Sequence, residues 1–376
     1  MTDPEPEDAP TPRGPIRLPL VLLVVTLLTP VLVAGIGLAA SGPESMPVGE
    51  VRSAGGSTVT TDLVGTGATA GSVWPDDEGQ TLGYLAEDLS AVRFGVAVEG
   101  GDPDLVAAIE SAAGADVGIV RVFARWDTPF PSERHRILLD EGRTIHLSVR
   151  PRTEAGDIID WADVANAVPG SNTHDELLAW VEGVADYSEQ IYFTFNHEPE
   201  TTQSAGSGTP EDFVAAWRRT VELLRAAGGD DVQTVLVLGR GPYETGAINR
   251  WYPGDDVVDV VGVDPYNWYR CQGTDRPWTE PAQLIGAALQ FAVDRNKPLA
   301  IPEIASTEDP ADPERKATWM RELAATLGSP DVAEHLAFVA WFDIHDSAWP
   351  ACDWPIESTP ASAEAFGELL DSLGPR

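Results

Sequence analysis

Basic residues are scarce in this chain of 376 residues. It holds 24 lysines and arginines against 60 aspartates and glutamates, which gives a formal net charge of −36, and its lysines are Lys297 and Lys316 alone. Affinity for nucleic acid comes mainly from lysine and arginine contacts to phosphate. The composition therefore argues strongly against a nucleic-acid partner and against anionic membrane surfaces, and it favours an uncharged substrate.

Charged residues are also missing from one long stretch near the N-terminus. The run Leu18–Ala40 is uncharged and mostly apolar over 23 residues, which is long enough to cross a bilayer. Arg13 and Arg17 precede it, so the positive-inside rule places the N-terminus in the cytoplasm and the rest outside the cell. We expect residues 17–40 to be a transmembrane anchor, with a cleaved signal segment as the alternative.

The segments on either side of this run lack hydrophobic periodicity. Residues 1–16 are rich in proline and acidic side chains, which predicts a disordered cytoplasmic tail. Residues 41–90 are rich in glycine, serine, threonine and proline, which predicts a flexible linker. We therefore expect one folded domain, over residues 91–376, and an exported location: the cell membrane for an anchored chain, or secretion after cleavage.

Cysteine occurs only at Cys271 and Cys352. A cysteine-based metal site needs more ligands at closer spacing, so none is indicated. In an exported protein a lone pair of cysteines predicts a disulfide. Two unrelated free thiols remain the alternative.

Short apolar strand-like runs alternate with amphipathic helix-like segments from Val92 onward. This pattern over about 280 residues predicts an α/β fold, a (β/α)8 TIM barrel. A doubly wound sheet is the alternative, but the turn Glu99–Pro103 after the first strand lacks its glycine-rich phosphate fingerprint. The predicted strands are Arg93–Val98, Gly118–Phe123, Thr144–Val149, Ile191–Asn196, Gln233–Leu238, Val257–Val263, Pro298–Ile301 and Ala337–Phe342.

Two of these strands end on a glutamate. Glu198 follows strand four and Glu303 follows strand seven, and catalytic groups of a TIM barrel lie at the C-terminal ends of its strands. Two carboxyl groups facing one bound sugar are what acid/base hydrolysis of a glycosidic bond requires. The pair predicts a glycosidase.

The motif Phe195-Asn196-His197-Glu198 resembles glycoside hydrolase family 26, a family of retaining β-mannanases with some β-glucanases and xylanases. The resemblance covers roughly residues 93–373. It implies Glu198 as acid/base and Glu303 as nucleophile, with Tyr266 beside the nucleophile and Trp341 under the sugar. The stretch Pro199–Ser204 departs from the usual family sequence after His-Glu.

Further candidates for substrate binding lie at the same strand ends. They are Asn196, His197, Arg150 and, in the loop after strand six, Trp268, whose indole suits stacking on a sugar. Arg150 and Arg125 point to the same face, where each could orient a carboxylate or a sugar hydroxyl, or form a structural ion pair. His197 is not part of a helical zinc motif, because Pro199 follows it and the second histidine is absent. No metal or other cofactor is expected.

These observations predict an exported, membrane-tethered, retaining and endo-acting glycoside hydrolase, monomeric, with a β-mannan-like polysaccharide as first choice of substrate. The alternative is a non-catalytic carbohydrate-binding or cell-envelope scaffold protein on a glycosidase fold.

Overall fold

Eight parallel strands form the centre of the molecule. The computed structural model describes residues 94–271, 275–344, 352 and 354–373. The strands are β1 (Phe94–Ala97), β2 (Ile119–Arg125), β3 (Thr144–Arg150), β4 (Ile191–Phe195), β5 (Gln233–Gly239), β6 (Val260–Asp264), β7 (Leu299–Ser306) and β8 (Leu336–Phe342). All eight lie where the sequence predicted strands.

The sheet closes on itself. Each strand pairs in parallel with the next one along the chain, and β8 returns to β1 with Val339 opposite Phe94. A two-residue extension, Tyr266–Asn267, continues β6 and pairs with the end of β7. The predicted (β/α)8 barrel is confirmed, and the doubly wound alternative is wrong.

Helices connect the strands around the outside of the barrel. They are α1 (Pro103–Ala113), α2 (Glu133–Asp140), α3 (Trp161–Ala165), α4 (Asn172–Ala185), α5 (Pro210–Ala226), α6 (Arg240–Thr245), α7 (Pro281–Val293), α8 (Arg315–Leu327), α9 (Pro330–Ala333) and α10 (Pro360–Leu373). In α5, Thr209 and Asp212 form a capping box and Pro210 stands at the first helical position, as its sequence predicts.

The alternation of side chains along each strand divides the core in two. On β5, Val235 and Val237 point into the barrel, where they pack with Tyr192 and Phe338. Leu236 and its outward-facing counterparts on the other strands pack against the helices in a larger core. This period of two also determines which polar side chains can reach the mouth of the barrel.

The largest difference between a predicted strand and the observed one is at β7. The sequence ends strand seven before Pro302, whereas β7 continues to Ser306. Proline has no N–H for the sheet ladder, and the register with β8 shifts between Ile301 and Ile304. Glu303 therefore lies within the strand, at this irregularity, and not beyond its end.

The predictions for residues 1–16, 17–40 and 41–90 fall outside the described residues. Among the residues that are described, no helix combines the length and the apolar character needed to cross a membrane.

Candidate active site

A cavity of about 470 Å³ opens at the C-terminal end of the barrel. It contains both predicted catalytic glutamates, together with side chains from β2, β3, β7, β8 and the loops that follow β4 and β6. Its lining consists of Glu99, Gly100, Phe123, Ala124, Arg125, Ser148, Arg150, Glu154, His197, Glu198, Gln203, Tyr266, Trp268, Glu303, Phe342, Ile344 and Trp354.

The carboxylate of Glu303 is held on both oxygens. Arg121 of β2 donates to Oε1 from Nη2 at 2.9 Å, and the hydroxyl of Tyr266 donates to Oε2 at 2.7 Å. Glu303 and Arg121 are both buried. A buried carboxylate with a guanidinium partner and a hydroxyl donor is held in one orientation, which suits a nucleophile.

Glu198 lies in a different environment. Burial, followed by the nearby carboxylates of Glu303 and Glu200, raises the pKa of Glu198 to about 8. Its carboxyl group is therefore protonated at neutral pH. One carboxylate held as an anion beside one carboxyl held as an acid is the arrangement expected of a nucleophile and a general acid.

The backbone around Glu198 is strained. Asn196 and Glu198 have positive φ angles of 49° and 47°, a region that asparagine tolerates and glutamate rarely adopts. The turn is held because the N–H of Glu198 donates to the carbonyl of Val237 and its carbonyl accepts from Thr201. Such strain occurs where the surrounding structure holds a side chain in place for function.

Glu200 is a second carboxyl group close to Glu198. Its Oε1 accepts a hydrogen bond from the N–H of Gly239 at 2.7 Å, while Oε2 is buried with no partner among the described residues. Burial raises the pKa of Glu200 to about 7. A Cβ atom on Gly239 would lie 3.2 Å from Glu200 and 3.5 Å from Glu198, so glycine leaves room for both carboxyl groups.

His197 is a neutral hydrogen-bonding residue. Arg150 donates from Nη2 to Nε2 of His197 at 3.0 Å, so the proton sits on Nδ1, which lies 2.7 Å from Oγ of Ser148. Burial and the Arg150 guanidinium hold the pKa of His197 well below its usual range. Across the described part of the chain, no cluster of three or more histidine, cysteine or carboxylate side chains could hold a metal ion.

A buried polar chain lies beneath the two glutamates. Arg121 contacts Nδ1 of His146 at 3.0 Å, and Nε2 of His146 lies 2.8 Å from the hydroxyl of Thr194. Thr194 donates in turn to the carbonyl of Val235, so Nε2 carries the proton and Nδ1 accepts from Arg121. This chain fixes Arg121, and through it the carboxylate of Glu303.

Asp264, at the end of β6, completes the buried group. Burial and the neighbouring Glu303 carboxylate raise the pKa of Asp264 well above its usual range. Its carboxyl oxygens accept no hydrogen bond from any described residue, and its nearest cation is Arg121 at 3.8 Å.

Sequence analysis did not single out Arg121, His146 or Asp264. The signal was present for the first two, because in both β2 and β3 polar residues recur on one face of an otherwise apolar strand. Arg121, Phe123 and Arg125 share one face of β2, and His146, Ser148 and Arg150 share one face of β3. These faces point into the barrel.

Aromatic side chains form one wall of the cavity. Tyr266, Trp268 and Trp354 contact one another, with ring centroids 5.0–5.2 Å apart. Phe342 of β8 packs against Tyr266 at 5.7 Å. This wall offers the flat apolar surface on which sugar rings stack.

The segment that carries Trp354 is anchored in two ways. The predicted disulfide between Cys271 and Cys352 is confirmed, with the Cα atoms 5.0 Å apart. The fully buried ammonium group of Lys316 donates to the carbonyl of Pro355 and the hydroxyl of Ser358. Both anchors hold the chain beside the cavity.

Two sequence predictions require correction. Trp341 does not line the cavity: it points out of the barrel, is fully buried, and packs against Trp319 and Phe366. Successive strand residues face opposite sides, so its neighbour Phe342 faces the cavity instead. Asn196 is also buried outside the cavity, where its amide donates to Ser204.

The remaining predicted site residues are brought together. Glu198, Glu303, His197, Tyr266, Arg150 and Trp268 all line the same cavity.

Comparisons with known proteins agree with this fold. No family model matches the chain. Among solved structures, the catalytic domain of a Bacillus sp. JAMB-750 family 26 endo-β-1,4-mannanase matches with a TM-score of 0.55 and 15% identity, over 76% of this chain and 87% of that one. A family 26 β-mannanase from Bacteroides ovatus matches with a TM-score of 0.53 and 20% identity, over 77% and 92%.

Curated sequences give related matches. Endoglucanase H of Acetivibrio thermocellus is 24% identical over 279 residues, which cover 70% of this chain and 29% of that protein. A β-1,3-xylanase of an Alcaligenes species is 28% identical over 125 residues, or 33% and 24% of the two chains. This chain spans less than a third of the curated relatives it matches. The resemblance to family 26 is confirmed, and all four proteins are glycoside hydrolases.

Proposed function

We propose that this protein is a retaining, endo-acting glycoside hydrolase that cleaves a β-linked polysaccharide. Glu303 is the nucleophile and Glu198 the acid/base. The observation that carries the proposal is the contrast between the two carboxyl groups, which share one cavity. Arg121 and Tyr266 bind Glu303 as an anion, whereas burial raises the pKa of Glu198 to about 8.

The reaction proceeds in two displacements. Glu303 attacks the anomeric carbon while the Glu198 carboxyl gives its proton to the leaving glycosidic oxygen, which leaves a covalent glycosyl-enzyme and a Glu198 carboxylate. Glu198 then takes a proton from water, and the water oxygen displaces Glu303. Both groups return to their starting protonation states, and the anomeric configuration is retained.

The substrate is proposed to be an uncharged or weakly charged β-glycan, with a β-mannan as first choice. The wall of Tyr266, Trp268 and Trp354 suits stacking against a hexose. The similar proteins named above are a mannanase, an endoglucanase and a β-1,3-xylanase, so all of these β-linkages belong in a substrate screen. Mannan ranks only slightly ahead because Pro199–Ser204 departs from the usual family 26 sequence.

The proposed location is outside the cell, with a monomeric catalytic domain tethered by residues 17–40. The Cys271–Cys352 disulfide supports an oxidising compartment. Fractionation of the full chain tests the anchor: we expect it in the membrane fraction, whereas a shortened, soluble chain would indicate cleavage.

Covalent trapping tests the proposed mechanism. The domain 91–376 is incubated with galactomannan, glucomannan, lichenan and xylan, and then with a matching 2-fluoroglycoside. We expect the label on Glu303 and retained product configuration by NMR. Label on another residue, or inverted product, would contradict the mechanism.

Two variants separate hydrolysis from simple binding. Glu303→Gln and Glu198→Gln should each lower kcat by about 10³-fold or more. In a catalytic unit, the loss of one member costs about as much activity as the loss of all members. Circular dichroism checks that both variants are folded. A wild-type domain that binds the glycan but never cleaves it would favour the carbohydrate-binding alternative.

A further inference from the structure

Two arginines stand side by side in the cavity. Arg125 and Arg150 are direct neighbours in the parallel register of β2 and β3, and both line the cavity with the catalytic glutamates. Like charges opposite each other on adjacent strands destabilise a sheet. The arrangement is conspicuous in a chain with 24 basic residues against 60 acidic ones.

Neither arginine has a carboxylate partner within the described part of the chain. No carboxylate oxygen of a described residue lies within 4.0 Å of a guanidinium nitrogen of Arg125 or Arg150, whereas other arginines form such salt bridges. Arg150 donates to His197 and Gln203, and its Nε is buried without a partner. Among the described residues, Arg125 donates a hydrogen bond from its backbone N–H to the hydroxyl of Thr128, and none from its guanidinium.

None of the acidic groups that line the cavity beside this pair forms an ion pair with Arg125 or Arg150. Glu198 is protonated at neutral pH, and Glu303 is bound to Arg121 and Tyr266. Glu99 and Glu154 also line the cavity, but neither lies within 4.0 Å of either guanidinium group, and Glu154 accepts from the hydroxyl of Thr128. Guanidinium donors of Arg125 and Arg150, among them Nε of Arg150, are therefore left for a ligand.

We propose that Arg125 and Arg150 form a subsite for a carboxylate group carried by the polysaccharide, close to the bond that is cut. The inference rests on the proposed function and specifies its substrate as a β-glycan with acidic units. Planar guanidinium groups bind a carboxylate through paired hydrogen bonds. A single charge suits the site better than a doubly charged phosphate, because Glu303 is an anion in the same cavity.

The overall charge of −36 limits how acidic that glycan is. A dense polyanion would be repelled at long range. A glycan with scattered carboxylates avoids most of that repulsion and still presents one group to Arg125 and Arg150.

The probe is glucomannan with a fraction of its C6 hydroxyl groups oxidised to carboxylates. The same preparation after chemical reduction of those carboxylates serves as the neutral control. We expect wild-type kcat/KM to be about tenfold or more higher on the oxidised polymer, as one charge-assisted pair provides. Mass spectrometry of the products should place uronate units at one constant position relative to the new ends.

The variant Arg125→Gln should reduce the ratio of the two kcat/KM values to about one, and Arg125→Lys should retain part of it. Arg240→Gln is the matched control, because Arg240 follows β5 on the same face and pairs with Glu244 outside the cavity. Its ratio should equal that of the wild type. Added salt should lower the wild-type preference.

Equal rates on both polymers, or an unchanged ratio in Arg125→Gln, would overturn the subsite. If the proposed function itself were wrong, the result would be distinguishable, because neither polymer would be cleaved and the fluoroglycoside would label no residue.

Discussion

The hydroxyl of Tyr266 donates to Oε2 of Glu303 at 2.7 Å, on the oxygen that Arg121 leaves free. The carboxylate of Glu303 therefore has one donor from β2 and another from the extension of β6. Because Tyr266 also contacts Trp268 and Trp354, one residue links the proposed nucleophile to the aromatic wall.

Removing the Tyr266 hydroxyl should slow the reaction. Tyr266→Phe keeps the ring contacts but leaves Oε2 of Glu303 without its donor, so we expect kcat to fall by about 10- to 100-fold, the scale of about 1.5–3 kcal/mol for a hydrogen bond to a charged group. Steady-state kinetics measure the change. Tyr252→Phe, whose hydroxyl contacts Asp255 away from the cavity, is the control and should keep wild-type kcat.

Activity should decline on the alkaline side with the ionisation of Glu198. As the proposed general acid, Glu198 must be protonated, and its pKa is raised to about 8, so kcat/KM should be maintained below that pH and fall above it. Glu200→Gln removes a neighbouring negative charge, so the alkaline limb should move to lower pH. The pH dependence of kcat/KM for both enzymes measures the shift. An unmoved limb would show that Glu200 does not influence Glu198.

Glu200 should also make stability depend on pH. Its folded pKa is raised from 4.5 to about 7, so its contribution is fully present below pH 4.5 and is lost as pH rises through 7. At about 1.4 kcal/mol per pKa unit, the loss is about 3 kcal/mol. Urea unfolding at pH 5 and pH 9 should show a smaller decrease for Glu200→Gln than for the wild type. Equal decreases would contradict the assignment.

Loss of the disulfide should weaken both the fold and substrate binding. The bridge joins residues 81 positions apart, and closing a loop of this length is worth about 4 kcal/mol in the chain-entropy model. The double variant Cys271→Ser/Cys352→Ser should melt at lower temperature and show a raised KM, because Trp354 lies two residues from Cys352. Reductant should reproduce these changes in the wild type and leave the variant unaffected.

Two tryptophans should respond differently to truncation. Trp354→Ala removes a side chain from the cavity wall, so we expect mainly a raised KM. Trp341→Ala leaves a cavity between the barrel and its helices, which should lower the free energy of unfolding by about 3–5 kcal/mol. Unfolding curves and Michaelis constants distinguish the two. A large rise in KM with normal stability for Trp341→Ala would contradict its assignment to the core and would indicate that Trp341 contacts the sugar.

Much of the fold could be predicted because its information is local. Alternating apolar runs mark each strand, and the Thr209–Asp212 capping box marks the start of α5. The positions of Glu198 and Glu303 followed from counting strands, since parallel strands in a barrel bring their C-terminal ends to one mouth.

The roles of individual neighbours could not be predicted in the same way. Trp341 and Phe342 are adjacent in sequence, and only the register of β8 decides that Phe342 faces the cavity. The side chains of Asn196 and His197 also reach different places, with His197 in the cavity and Asn196 outside it, because the backbone at Asn196 takes a positive φ.

The amino-acid sequence by itself determined the strand order, the barrel, the pair of glutamates and the two cysteines available for bonding, because hydrophobic period and residue chemistry are properties of the chain. Tertiary structure alone decided which side chains surround each glutamate. Arg121 lies 182 residues from Glu303 in sequence, yet donates to it directly, and the raised pKa of Glu198 comes from burial. Charge state depends on distance and exposure to water, which arise only when the barrel closes.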